Sequence, residues 1–195
     1  MTTRSVSIQA QTTSTSNQIP WQDDVVVIGG GVAGCAAAIA LKRKGRRVTL
    51  IEREPTPRHK VCGEFLSGEA LEDLCALGID VTALGAVPID FVRLAAGRRA
   101  AEAPLPFPAK SLTRKTLDTA LIAEAIAAGV RVERGRSVQA LNRTGTGMWQ
   151  AALDDGTVCE APTAFLATGK HDLRGHARPK DPQRCVAFKM YYRLA

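Results

Sequence analysis

The segment Gly29-Gly-Gly31-Val-Ala-Gly34 carries the spacing G-x-G-x-x-G. Glycines at those positions suit the binding of a dinucleotide. Gly29 permits a tight turn, Gly31 lets a pyrophosphate approach the backbone, and Gly34 lets a following helix pack closely on a preceding strand. The N–H groups near Ala33 and the dipole of that helix then face the phosphates. Glu52 ends a second β run and is placed to accept hydrogen bonds from adenosine ribose hydroxyls. The same glycines could also form a turn in an α/β fold that holds no ligand.

The other reactive side chains are less organised. Cys62 is either a redox or substrate-facing thiol or a small packing residue, and Cys35 on the glycine helix reads as packing. His59 lies between Arg58 and Lys60, the setting of a solvated basic turn rather than of a general base. His171 and His176 lie among basic residues, in a loop that faces phosphate or simply lies at the surface. No Ser/His/Asp or paired-carboxylate arrangement stands out, so no catalytic residue is assigned. The five cysteines form no C-x-x-C pair and no Cys/His cluster of zinc spacing, so neither a metal site nor a disulfide framework is expected.

These residues need a scaffold, and the flanking sequence supplies one. Val25-Val-Val-Ile28 is a β-branched run without alternation, the pattern of a strand buried on both faces of a parallel sheet. Val32 to Lys44 is small and apolar with a basic end, a helix closed by Gly45, and Arg47–Ile51 is a second short strand. Together they make a βαβ unit. Beyond a loop at Pro55–Lys60, a helix is expected over Gly68–Leu77, two strands over Ile89–Leu94 and Arg98–Ala103, and a break at Pro104–Pro108. Thr113 caps a helix that runs through Ala128, followed by a strand at Val130–Arg134. Ser137–Leu141, Met148–Leu153 and Thr157–Glu160 form an antiparallel meander, and Thr163–Ala167 returns as a buried strand.

Composition bounds what such a chain can be. Of its 195 residues 45 % are hydrophobic and 23 % charged, which fits one globular domain. No apolar run is long enough to span a membrane. Residues 1–20 include thirteen Ser, Thr, Gln or Asn and no apolar core of a secretory signal, so a disordered and dispensable tail is expected. An odd cysteine count without a signal peptide fits a cytoplasmic protein. Of the net charge of +7, +5 falls in residues 170–195, yet no helix-turn-helix, zinc-finger or RNA-recognition pattern accompanies it. The expected partner is a small molecule rather than nucleic acid.

The βαβ unit alone does not separate FAD from NAD. The later ordering does: loops, a hairpin and a helix follow the second strand, and a meander replaces the next helical crossover before the return to Phe165-Leu-Ala-Thr-Gly169. That order resembles the FAD-binding domain of glutathione-reductase-type flavoproteins. The segments VVVIGGGVAGCAAAIALKRKGRRVTLIER, RHKVCGEFLS, LTRKTLDTAL and FLATGKHDLRG together resemble the FAD-dependent oxidoreductases that include geranylgeranyl reductases and para-hydroxybenzoate-hydroxylase-like monooxygenases. The likeness covers about 22–190. It implies an α/β, Rossmann-like FAD-binding domain over 21–195, with a parallel sheet, a β-meander crossover and the beginning of a substrate-domain sheet. It also implies NAD(P)H as electron donor. By the resemblance, Glu52 and Arg53 meet the adenosine, Cys62-Gly63 lies beside the flavin ring, Arg114 contacts FAD, and the Val138 backbone meets the adenine. Thr168-Gly169 stands where the family has Asp-Gly for pyrophosphate and ribitol.

The family runs to roughly twice this length, so the second half of its fold is expected to be absent, and Lys189–Ala195 reads as the start of a strand. The alternatives to a flavin oxidoreductase are a catalytically incomplete nucleotide-binding module and an NAD(P)-binding Rossmann protein.

Overall fold

The computed structural model describes residues 21–179 and 187–192. The expected tail at 1–20 lies outside them. Strand β1 (Trp21–Gln22) is followed by β2 (Val25–Ile28), helix α1 (Val32–Arg43) and β3 (Val48–Glu52). Next come β4 (Phe65–Leu66), α2 (Gly68–Ala76), β5 (Val87–Pro88), β6 (Phe91–Ala96), β7 (Arg99–Pro104) and β8 (Lys110–Ser111). After α3 (Arg114–Ala127) the chain forms β9 (Arg131–Arg134), β10 (Val138–Arg143), β11 (Trp149–Leu153), β12 (Val158–Ala161) and β13 (Thr163–Leu166).

Three layers follow from the apolar runs. The middle layer is a parallel sheet in the order β13-β2-β3-β9. Successive side chains of a strand point to opposite faces, and β2 is buried on both. Val25 and Val27 pack with Cys35, Ala38 and Ile39 of α1 and Leu117, Leu121 and Ala125 of α3. Val26 and Ile28 pack on the other side with Leu141, Ala151, Leu153 and Cys159 of the meander. Each fully buried valine there contributes about 1.5–3 kcal/mol relative to an exposed one. Arg43, in the basic last turn of α1, binds the helices together: it donates to the carbonyls of Ala76 (2.7 Å) and Leu77 (3.0 Å) at the end of α2 and to Glu124 of α3 (2.9 Å). Thr113 caps α3 by accepting from the Thr116 N–H at 3.2 Å.

Four details depart from the sequence expectation. The meander β10–β12 gains a fourth, parallel strand, because Trp21–Gln22 pairs with Cys159–Glu160. A small sheet β4-β8-β5, from strands of two residues each, forms from segments to which no element was assigned. The strand at 163–166 is not buried: it is an edge of the parallel sheet, and Phe165 and Leu166 are 41 % and 45 % exposed, since only Ala164 packs on the core below. Finally, of the strand start expected over Lys189–Ala195, residues 189–192 enter no strand and 193–195 lie outside the described residues. Side-chain contacts to Glu64 hold residues 189–192 instead of a ladder. Among the described residues no helix is long and apolar enough to cross a membrane.

Burial also sets thiol reactivity. Cys35 and Cys159 are fully buried, and desolvation pushes each thiol up to about 12. Because the thiolate is the nucleophile, iodoacetamide at pH 8 is expected to label exposed Cys75 in the native protein and to spare Cys35 and Cys159 until the protein is denatured. Peptide mass mapping after brief alkylation checks this, and early labelling of Cys35 would contradict the packing of α1 on β2.

Candidate functional site

The carboxyl ends of β2, β3 and β13 open into a cleft of about 690 Å³. In open α/β sheets such a crevice is where ligands bind. Its floor is the glycine turn. Gly29 has φ +111° and donates to the Ile51 carbonyl at 2.8 Å. Gly34 sits beneath the turn, where a Cβ would lie 1.8 Å from the Gly29 carbonyl oxygen. Gly31 differs: the nearest atom to a Cβ there is Arg114 Nη2, at 3.8 Å, so its backbone faces open space. Gly31 is the N-cap of α1, with no side-chain cap and no acidic residue in the first turn. The first N–H groups of that helix therefore lack intrahelical partners and present a positive end to the cleft. A cradle that glycine alone keeps open, facing a helix N-terminus, fits a dinucleotide pyrophosphate.

Glu52 stands at the end of β3, beside the turn. Its Oε2 accepts from the Gly30 N–H at 2.6 Å and its Oε1 from the Glu54 N–H at 2.9 Å. The carboxylate thus shapes the turn as well as facing the cleft, and a carboxylate has further lone pairs for ribose hydroxyls.

Of the residues proposed from sequence, Gly29, Gly31, Ala33, Glu52, Arg53, Arg114, Val138, Thr168 and Gly169 all line this one cleft. Gly34 lies under it. Cys62 and Gly63 stand outside the lining, on the loop that leads from Lys60 to β4, where Cys62 Sγ accepts from the Glu64 N–H at 3.4 Å. His59 and His171 line the cleft. Burial, reinforced by Arg53, Lys170 and Arg58, holds the His171 imidazole below its ordinary value. His176 is structural: its Nε2 lies 2.8 Å from the Leu141 carbonyl and its ring packs edge-on against Trp149.

Three charged groups, Asp118, Lys60 and Glu64, lie in segments quoted from the sequence but were given no role there. Asp118 on α3 is 3 % exposed and pairs with both Arg114 (2.9 Å) and Lys60 (2.7 Å), and the two cations line the cleft. Burial works to lower the Arg114 pKa, but its bonds to Asp118 outweigh that and leave it raised. The spacing of Arg114 and Asp118, one helical turn, was a legible sign of this pair. The third is Glu64, buried and in the left-handed region at φ +58°. Burial pushes its carboxyl up, yet hydrogen bonds from Lys189, the Arg114 N–H (3.0 Å) and the Tyr191 hydroxyl (2.8 Å) prevail and hold it below the ordinary range. Since Tyr191 gives its proton to Glu64, the His59 Nδ1–H donates to the Tyr191 oxygen at 2.9 Å.

A parallel sheet with helices on one face, a meander on the other and a glycine turn at its crevice is the Rossmann-like fold of FAD-binding flavoproteins. Residues 24–87 match the family model described as FAD dependent oxidoreductase. The chain is 31 % identical over 158 residues to a menaquinone reductase of Mycolicibacterium smegmatis, a match that covers 78 % of this chain and 39 % of that protein. It is 30 % identical over 136 residues to squalene epoxidase 4 of Arabidopsis thaliana, covering 69 % of this chain and 24 % of the relative. Among solved structures it superposes on a flavoprotein/dehydrogenase from Cytophaga hutchinsonii with a TM-score of 0.66 at 27 % identity, over 75 % of this chain and 39 % of the other. The chain therefore spans about two fifths, or less, of the length of these proteins.

Proposed function

We propose that this chain is the FAD-binding part of a flavin oxidoreductase that takes electrons from NAD(P)H and reduces or oxygenates an apolar or aromatic small molecule in the cytoplasm. The observation that carries the reading is one cleft in which Gly31 leaves the backbone bare, the α1 N-terminus and Arg114 supply positive charge, and Glu52 ends the adjoining strand. In this reading the Gly29–Gly34 turn and Arg114 hold the pyrophosphate, and Glu52 and Arg53 hold the adenosine. The Val138 backbone meets the adenine, Thr168-Gly169 the ribitol side, and Cys62-Gly63 lies toward the ring. Bound FAD supplies the two-electron chemistry, while the protein binds, orients and excludes water. The relatives named for menaquinone and squalene support an apolar substrate.

The test is chemical. Protein loaded with a mixture of FAD and NAD, desalted and then heated, is expected to release FAD, identified by its mass. Recovery of the nicotinamide dinucleotide without flavin would overturn the reading in favour of an NAD(P)-binding protein.

A further inference from the structure

Asp118 lies one turn into α3, outside the cleft lining and buried beneath Arg114 and Lys60, and is 3 % exposed. Its two oxygens hold two cations rather than one. Arg114 reaches it with Nε at 3.0 Å from Oδ1 and Nη2 at 3.2 Å from Oδ2, and Lys60 Nζ lies 2.7 Å from Oδ2. Removing a carboxylate from water is unfavourable unless it is paired and hydrogen-bonded, and Arg114 alone does both. The second cation leaves the trio with an excess positive charge. Lys60 comes from the loop after β3, and its side chain is 32 % exposed against 4 % for Asp118, so the carboxylate is enclosed while the ammonium still reaches the opening. Both cations line the cleft, and Arg114 Nη2 stands 3.8 Å from where a Gly31 Cβ would be. The carboxylates of the cleft lining are engaged elsewhere: Glu52 by the Gly30 and Glu54 N–H groups, Glu54 by Arg53 and Arg58, and Asp172 by Arg178.

We propose that Lys60 is a second cationic ligand of the diphosphate and that Asp118 is the positioning residue that aims Lys60 and Arg114 at it. This rests on the dinucleotide reading of the cleft. The two side chains answer to different tests. A ligand to phosphate distinguishes ADP from adenosine, whereas a residue that only staples the loop to α3 affects both alike. A positioning carboxylate also reverses the effect expected from charge: removing it adds net positive charge to the site, which by itself strengthens anion binding.

The experiment titrates ADP, adenosine and FAD into the full 195-residue chain and its Lys60→Met and Asp118→Asn variants by calorimetry, with thermal melts alongside. Lys60→Met is expected to weaken ADP roughly tenfold to a hundredfold, the range of a lost hydrogen bond to a charged group, and to leave adenosine unchanged. It should also flatten the salt dependence of ADP binding. Asp118→Asn is expected to weaken ADP despite the added charge. An unchanged ratio of ADP to adenosine affinity in Lys60→Met overturns the ligand role. Tighter ADP binding by Asp118→Asn overturns the positioning role. Should Asp118→Asn fail to fold, partly exposed Lys60 still decides the first point. A wild-type chain that binds neither ADP nor FAD overturns the dinucleotide reading itself and this proposal with it, a result distinct from a failure confined to the variants.

Discussion

Gly34→Ala is expected to abolish the native fold, whereas Gly31→Val is expected to leave the fold in place and abolish ligand binding. A Cβ on Gly34 would stand 1.8 Å from the Gly29 carbonyl oxygen and 3.2 Å from the Ala167 Cβ. Neither neighbour can retreat. Gly29 is fixed at φ +111° by its bond to Ile51, and its own Cβ position is 2.3 Å from the Ala167 oxygen. Turn, helix and Ala167, the residue after β13, are therefore in close contact. Overlap of that kind belongs with the exceptional substitutions that cost more than about 4 kcal/mol, out of a total stability on the order of 5–15 kcal/mol. Gly31, by contrast, has φ −79° and ψ −173°, a conformation open to any residue, and faces the cleft. Valine there is a poorer N-cap, worth about 1 kcal/mol or roughly 2–4 °C in melting temperature. Its methyl groups would occupy the space proposed for the pyrophosphate, and FAD affinity should fall at least about 100-fold, the scale of a lost set of charge-assisted hydrogen bonds. Circular dichroism melts and fluorescence titration read the two effects separately. Wild-type FAD affinity in Gly31→Val would place the diphosphate elsewhere.

Glu52→Ala should produce both effects at once. Its carboxylate accepts the Gly30 and Glu54 N–H groups, so truncation leaves two backbone donors in the turn without their partner. Stability should fall by about 1–3 kcal/mol, a drop of roughly 2–12 °C in melting temperature. FAD affinity should fall about 10- to 150-fold through loss of the proposed ribose bonds. Glu52→Gln should not restore the protein fully, because its amide carries one acceptor and one donor and would set N–H against N–H at one of the two positions. Full recovery in Glu52→Gln would show that only one oxygen matters.

Where the sequence was legible, the signal was local. The valines of β2, the glycines of the turn and the Thr113 cap each act within one or two turns of chain, and each element stands within a residue or two of its expected bounds. Pairing across distance was not legible. Phe65 meets Ser111 in strands of two residues, too short for any periodicity, and Trp21 finds Cys159 across most of the chain. Apolar composition could not tell an edge from a centre, so Thr163–Leu166 looked as buried as β2. The candidate site followed the same division. The glycines, Glu52 and Arg114 were visible through spacing and resemblance, whereas the meeting of Lys60 with Asp118 depends on how a loop and a helix fold against each other.

The β6–β7 hairpin has a kinetic consequence. All twelve of its residues are exposed, and its amides are protected by a two-strand ladder alone. A pair of strands without a third strand or a covered face is marginal in water, so these amides should exchange with solvent through small local openings. The amides of β2 and β3, enclosed between two layers, should exchange only when the whole domain opens. The molecule thus combines a slow central sheet with a fast arm. At the tip of that arm, Gly97 turns at φ +59° with no atom within 4 Å of where a side chain would start. A reporter group or a small domain spliced in between Gly97 and Arg98 would ride on the fast arm and leave the exchange clock of the cleft unchanged.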